Sequence, residues 1–170
     1  MSLTFAILTV SDRSYAGNRE DLSGPVLGDA VQGAGWAVSV TAIIPDEIQQ
    51  ISDQLIMWAD SGDIQIILTT GGTGFAPRDV TPEATEAVID RQTPGLVEAM
   101  RAGSLKITSH AMLSRAAAGI RKNTLIINLP GSPKGALENF RIVAPVLPHA
   151  VQLLENDDRA ESAHRHGRAI

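Results

Sequence analysis

Three short apolar runs punctuate the chain: Phe5 to Val10, Ile64 to Leu68 and Leu125 to Asn128. Each is brief, branched and free of charge, the pattern of a parallel strand buried on both faces. A fourth run, Ala37 to Ile44, alternates more, as a strand with one wetter face does. Between them the apolar spacing becomes helical. Pro25, Val26, Leu27, Ala30, Val31 and Ala34 lead to a stop at Gly35, and Ile48, Ile51, Leu55, Ile56 and Trp58 lead to one at Gly62. Strand and helix alternate, which predicts a three-layer α/β fold: a mostly parallel sheet with helices on both faces. The stretch from Pro94 to Arg115 reads as mixed helix, with breaks at Gly103 and near Thr108.

The strand ends carry the chemistry. After Leu68 comes TTGGTGFAPRDVTPEAT, residues 69–85. Gly71, Gly72 and Gly74 let the backbone take positive φ and let a ligand approach amides that could form an anion nest. Arg78 and Asp79 follow, a cation beside a carboxylate, which suits a phosphate and the metal ion that shields it. Thr81-Pro82-Glu83 then predicts a hydroxyl N-cap, proline at the first helical position and an acid in the first turn. After Asn128 the same device recurs in LPGSPKGALENF, with Ser132 as cap and Pro133 as first helical residue. The helix that follows should run to Leu154, kinked or split by Pro145 and Pro148. Ligands of open α/β sheets sit in such strand-to-helix crevices. Neither GxxxxGK[ST] nor a complete dinucleotide fingerprint is present, so the phosphate loop is of another kind.

Composition narrows the options. The chain of 170 residues suits one domain, expected to span residues 1–155. The polar tail 156–170 is expected to be disordered, with His164 and His166 solvated. There is no cysteine, hence no disulfide, thiolate metal site or cysteine nucleophile. A net charge of −5 with scattered basic residues argues against a nucleic-acid surface. No apolar run approaches membrane-spanning length, and a soluble, cytoplasmic protein is expected.

TVSDRSYAG near the start, IPDE at 44–47, the long glycine motif, LSRAAAGIRK and INLPGSPKG together resemble the molybdopterin adenylyltransferase family, the MogA and MoaB type that includes the gephyrin G domain. The resemblance runs from about Ile7 to Leu154. It implies molybdenum cofactor biosynthesis: with Mg²⁺, ATP transfers AMP to the terminal phosphate of molybdopterin, and pyrophosphate leaves. Carried over residue by residue, it places the catalytic, metal-binding aspartates at Asp46 and Asp79. It places substrate contacts at Gly71, Gly72, Thr73, Gly74, Ser114, Asn128, Pro130, Gly131 and Ser132. Ser11, Asp12 and Arg78 join them as expected pocket residues. Lys134 is expected to contact a phosphate, because a cation in a helix's first turn opposes the helix dipole unless an anion is near. Arg115, Arg121 and Lys122 read equally as anion contacts or as a solvated rim.

The resemblance also implies a homotrimer and leaves room for contact with other proteins of the cofactor pathway. Met100, Leu105, Ile107 and Met112 are apolar residues that an interface would accept. A non-catalytic molybdopterin-binding or scaffold module is the alternative reading; it needs neither Asp46 nor Asp79. A pyridine-nucleotide amidohydrolase of the competence-damage type would need a second domain.

Overall fold

The computed structural model describes residues 2–155; the expectations for the tail, His164 and His166 fall outside them. The elements in chain order are β1 (Thr4–Val10), α1 (Asp12–Tyr15), α2 (Ser23–Gly33), β2 (Ala37–Ile44), α3 (Ile48–Asp60), β3 (Ile66–Thr70), α4 (Thr81–Glu86), β4 (Arg91–Gln92), α5 (Pro94–Leu105), β5 (Ala118–Arg121), β6 (Thr124–Leu129), α6 (Pro133–Val143) and α7 (Leu147–Leu154). Short 3-10 turns occupy Ser109–Leu113 and Ala144–Val146.

The strands form one six-stranded sheet in the order β2-β1-β3-β6-β5-β4. β2, β1, β3 and β6 are parallel; β5 and β4 add antiparallel pairs at one edge. Strand side chains alternate between two cores, as the period of two requires. Phe5, Ile7, Ile66, Leu68, Leu125 and Ile127 pack with Leu27, Val31, Phe140 and Val151 on one face. Ala6, Leu8, Val10, Ile67 and Ile126 pack with Ile51, Leu55, Trp58 and Val88 on the other. Helices therefore cover both faces, as the strand pattern demands.

Several local expectations change. β3 begins at Ile66 and ends at Thr70, two residues later than the apolar run. Thr69 and Thr70 are wholly buried because their hydroxyls are satisfied: Thr69 Oγ1 accepts from Asn128 Nδ2 at 2.9 Å, and Thr70 Oγ1 donates to the Pro130 carbonyl at 2.7 Å. α5 does not break at Gly103. A Cβ there would stand 2.4 Å from Ile142 Cδ1, so this glycine admits α6 to close approach instead of ending the helix; the break falls after Leu105, with Thr108 capping the 3-10 turn. Pro145 and Pro148 do split the last helix. The antiparallel edge was not legible: Ala116-Ala117-Ala118-Gly119 carries no strand pattern of its own and gains one from pairing with Ile126 and Ile127.

Candidate active site

The carboxyl ends of β1, β2, β3 and β6 lie side by side, and each is followed by a loop with expected site residues: Ser11-Asp12, Asp46, Gly71 to Gly74, and Pro130 to Ser132. The glycine loop is set by close backbone approaches. Gly71 sits at φ +103 with its missing Cβ aimed 2.2 Å from the Val10 carbonyl oxygen. Gly72 sits at φ +64, its missing Cβ 2.3 Å from Thr81 Oγ1 and 3.0 Å from Asp46 Oδ1. No L side chain fits either place without strain. Among the described residues, the Gly72, Thr73 and Gly74 amides make no hydrogen bond, leaving them available to an anion.

Thr81 is not the N-cap of α4. It is the first helical residue, after Val80, and its buried hydroxyl donates to the Gly71 carbonyl at 2.8 Å while its amide bonds to Gly72. The hydroxyl that sequence assigned to the helix end holds the glycine loop. Ser132 does cap α6, accepting from the Gly135 amide, with Pro133 at the first position.

Two clefts flank this loop. The first, about 440 Å³, is lined by Ser11, Asp12, Asp46, Gly71, Gly72, Asp79, Gly131 and Ser132, with Arg13 and Arg19 at its wall. Asp12 and Asp46 clasp each other: the Asp12 amide donates to Asp46 Oδ2 at 2.8 Å and the Asp46 amide to Asp12 Oδ1 at 3.0 Å. Burial raises the Asp46 carboxyl above its ordinary value, and the charges of Asp12 and Asp79 push the same way. The Asp12 carboxyl is lowered, chiefly by its hydrogen bonds from Arg78. Arg78 reaches Asp12 through Nε and Nη2, both at 3.0 Å, and Glu47 at 2.8 Å. Its guanidinium is thus spent at the rim, holding the Asp12 and Glu47 loops together. Asp79 Oδ2 accepts from the Ala76 amide at 2.9 Å and lies 2.8 Å from the missing Cβ of Gly74.

The second cleft, about 290 Å³, lies between α5, the 109–113 turn and α6. Thr73, Gly74, Met100, His110, Ala111, Ser114, Asn128, Pro130, Ser132 and Asn139 contribute to its wall. Ser132 borders both clefts. Asn128 lies at the floor, fully buried, with its amide engaged: Nδ2 donates to Thr69 and Thr85, and Oδ1 accepts from Ala117. It is a pin between β6, β3 and α4.

Three readings find no support in the described geometry. Lys134 is brought to neither cleft; it projects into solvent, 79% exposed, beside Glu138. Helix α6 keeps that cation by an i,i+4 carboxylate instead of a ligand phosphate. Arg121 and Lys122 pair with Asp60 at the opposite, amino end of β6. Met100 is 3% exposed; it packs in the core and borders the second cleft, so it is not part of an exposed interface patch. Sequence reasoning also missed Asp21 and Ser23. Asp21 accepts from Thr9 Oγ1 and from the Ser23 and Gly24 amides, and Ser23 Oγ donates to the Gly131 carbonyl at 2.7 Å. Asp21-Leu22-Ser23-Gly24 resembles any capped helix start, and only the fold shows it buttressing the second loop.

For a divalent metal, the fit is that of a substrate-borne ion. Among the described residues no group of three or more His, Cys, Asp or Glu could cage one. Asp46 and Asp79 line the same cleft, and two carboxylates there would fit Mg²⁺, which ordinarily binds through one or two carboxylates alongside phosphate oxygens.

Comparison with known proteins identifies the family. The family model described as probable molybdopterin binding domain matches residues 6–149. The Molybdenum cofactor synthesis protein cinnamon of Drosophila melanogaster is 45% identical over 92% of this chain, which spans only 26% of that protein's length. The molybdopterin adenylyltransferase of Helicobacter pylori is 41% identical, over 90% of this chain and 88% of its own. The solved molybdopterin biosynthesis enzyme MoaB of Thermus thermophilus superposes with a TM-score of 0.86 at 47% identity, covering 91% of this chain and 98% of that one. No helix among the described residues is long and apolar enough to cross a membrane. This chain belongs to the molybdopterin-binding family of molybdenum cofactor biosynthesis proteins, the family of the molybdopterin adenylyltransferases.

Proposed function

We propose that the protein is a molybdopterin adenylyltransferase that takes Mg-ATP and molybdopterin and gives adenylylated molybdopterin and pyrophosphate. The observation that carries this reading is the pair of unlike clefts meeting at Ser132 and the glycine loop, one lined by carboxylates and the other walled by helix side chains. The nucleotide phosphates belong in the first cleft and the pterin in the second. A terminal phosphate oxygen of the pterin attacks the α-phosphorus of ATP; the bond to the bridging oxygen breaks, and pyrophosphate departs with those electrons. Asp46 and Asp79, together with the phosphates, would hold Mg²⁺, which would supply the charge neutralisation that such an approach of anions requires. The unpartnered amides of the glycine loop bind a phosphate. Arg13 and Arg19, which have no ion pair among the described residues, take the departing pyrophosphate.

The test is incubation with molybdopterin and Mg-ATP, with detection of the adenylylated pterin and of pyrophosphate. Pterin binding without either product would favour the scaffold reading. We also assign a homotrimer, acting in the cytoplasm. Leu105, Ile107, Met112 and Leu113 stand 44%, 57%, 63% and 46% exposed on adjoining segments, a patch that association would cover. Light scattering across a dilution series measures it; a mass near 18.0 kDa throughout would remove the trimer.

A further inference from the structure

The geometry points to Arg115, set between two residues that line the second cleft, as a positioning residue that holds Asp79 in place. The inference rests on the adenylyltransferase reading and deepens it. Asp79 sits at the end of an exposed turn, Gly74 to Asp79, whose own bonds are the Ala76 amide to the Asp79 carboxylate and the Asp79 amide to the Ala76 carbonyl. Those bonds shape the turn. Arg78 reaches from within it to Asp12 and Glu47. Arg115 ties it at both ends. Its Nε donates to the Gly74 carbonyl at 2.7 Å, where the turn begins, and its Nη2 donates to the Asp79 carbonyl, where it ends. The third nitrogen, Nη1, meets Glu83 in the first turn of α4, and the Arg115 amide bonds to the Thr73 carbonyl at 2.9 Å. Guanidinium alone offers donors in a rigid planar fork suited to three acceptors at once.

Neither reading of Arg115 from sequence, an anion contact or a solvated rim, describes this arrangement. The guanidinium is consumed by backbone and by Glu83, whose carboxyl it holds below the ordinary range. Its neighbours face the second cleft: Ser114 and Ala116 line it, and the Ser114 carbonyl accepts from Arg101 at 3.1 Å. Arg115 thus joins the wall of the proposed pterin site to the turn bearing Asp79. A misplaced metal-binding carboxylate slows the chemical step more than it weakens binding, because the substrates are held mainly by other parts of the two clefts.

The experiment compares Arg115→Lys with Glu83→Gln. Lysine keeps the charge beside Glu83 but cannot span both carbonyls. For Arg115→Lys the expected result is a fall in kcat of about 100-fold, with KM for ATP and for molybdopterin each within about threefold. The Ala76 amide should also exchange its hydrogen at least about tenfold faster, reporting a loosened turn. Glu83→Gln, which leaves both carbonyl bonds in place, should keep kcat within about threefold. Arg115→Gln carries the same criteria should the lysine variant not fold. Unchanged kcat in the folded Arg115 variant, an effect on KM alone, or an equal loss in Glu83→Gln would overturn the assignment. If the unmutated protein made no adenylylated pterin, the functional reading would fall, while amide exchange at Ala76 would still decide whether Arg115 holds the turn; unaltered exchange sinks it.

Discussion

The two clefts start from the same strand ends and are built by opposite means. The first is made of loops: glycines at positive φ, backbone carbonyls and amides, and the carboxylates of Asp12, Asp46 and Asp79. The second is walled by side chains of α5, the 109–113 turn and α6, including Met100, Ala111 and Leu113. Charge is placed by short carboxylates pinned to backbone amides, and shape is supplied by helix faces. A site that must bring anions together needs the first kind of precision, because electrostatic stabilisation depends on donors and charges that are already in position. A site that recognises a flat ring needs enclosure and a few polar groups.

The largest expected effect would break the first cleft. Asp79→Asn and Asp46→Asn should each lower adenylyl transfer by about 1000-fold, measured as pyrophosphate release, with pterin affinity within about threefold. Full turnover with an unchanged magnesium requirement would remove that residue from the catalytic set.

Next in size is Gly74→Ala, which places a methyl group 2.8 Å from Asp79 Oδ2 on a residue whose φ is not positive. It should displace the carboxylate and lower kcat by about tenfold to 100-fold, with little change in melting temperature. Gly72 is a poorer probe of binding. Gly72→Val bears on ligand binding and on the fold alike, because its Cβ would strike the buried Thr81. Both should suffer.

The second cleft is tested by filling it. Ala111→Trp should raise KM for molybdopterin at least about tenfold while ATP binding, followed by calorimetry, stays within about threefold. Equal losses for both substrates would mean that the two clefts do not divide the ligands.

A smaller effect separates stability from function. Because burial raises the Asp46 carboxyl, the folded state holds that proton more tightly than the unfolded chain does. The penalty is absent below the ordinary carboxylate range, grows as pH rises towards the raised value and is complete above it. Asp46→Asn should therefore raise the melting temperature by about one to three degrees at about pH 7 and leave it unchanged at about pH 3. A loss of stability at neutral pH would show that the carboxylate is a structural partner. The smallest effect should come from Arg78→Met, because its partners Asp12 and Glu47 are largely exposed. The melting temperature should stay within about 2 °C, and Asp12 should titrate higher.

Much of the fold was legible because it follows from local pattern. Short branched apolar runs become strands buried on two faces, and a proline or glycine at a helix end acts within a few residues. The loops after β1, β2, β3 and β6 carried expected site residues, and they do line the two clefts. What was misread depended on partners that the pattern of a single motif leaves out. Thr81 looked like a cap because hydroxyl-Pro-Glu is a cap pattern, but its hydroxyl had a better partner ten residues back in Gly71. Lys134 looked like a phosphate ligand because the dipole argument considers one helix alone, and Glu138 one turn on answers the charge.

The sequence by itself determined the layers, the glycine loop and the identity of the acids, since period, turn chemistry and residue type are local properties. Only the tertiary structure decided that Asp46 and Asp79, thirty-three positions apart, share one cleft, that Ser132 borders two, and that Arg115 clasps a turn and Glu83. Those are relations between strand ends set side by side by the sheet, and each side chain's role depends on which donor or charge the packing brings within reach.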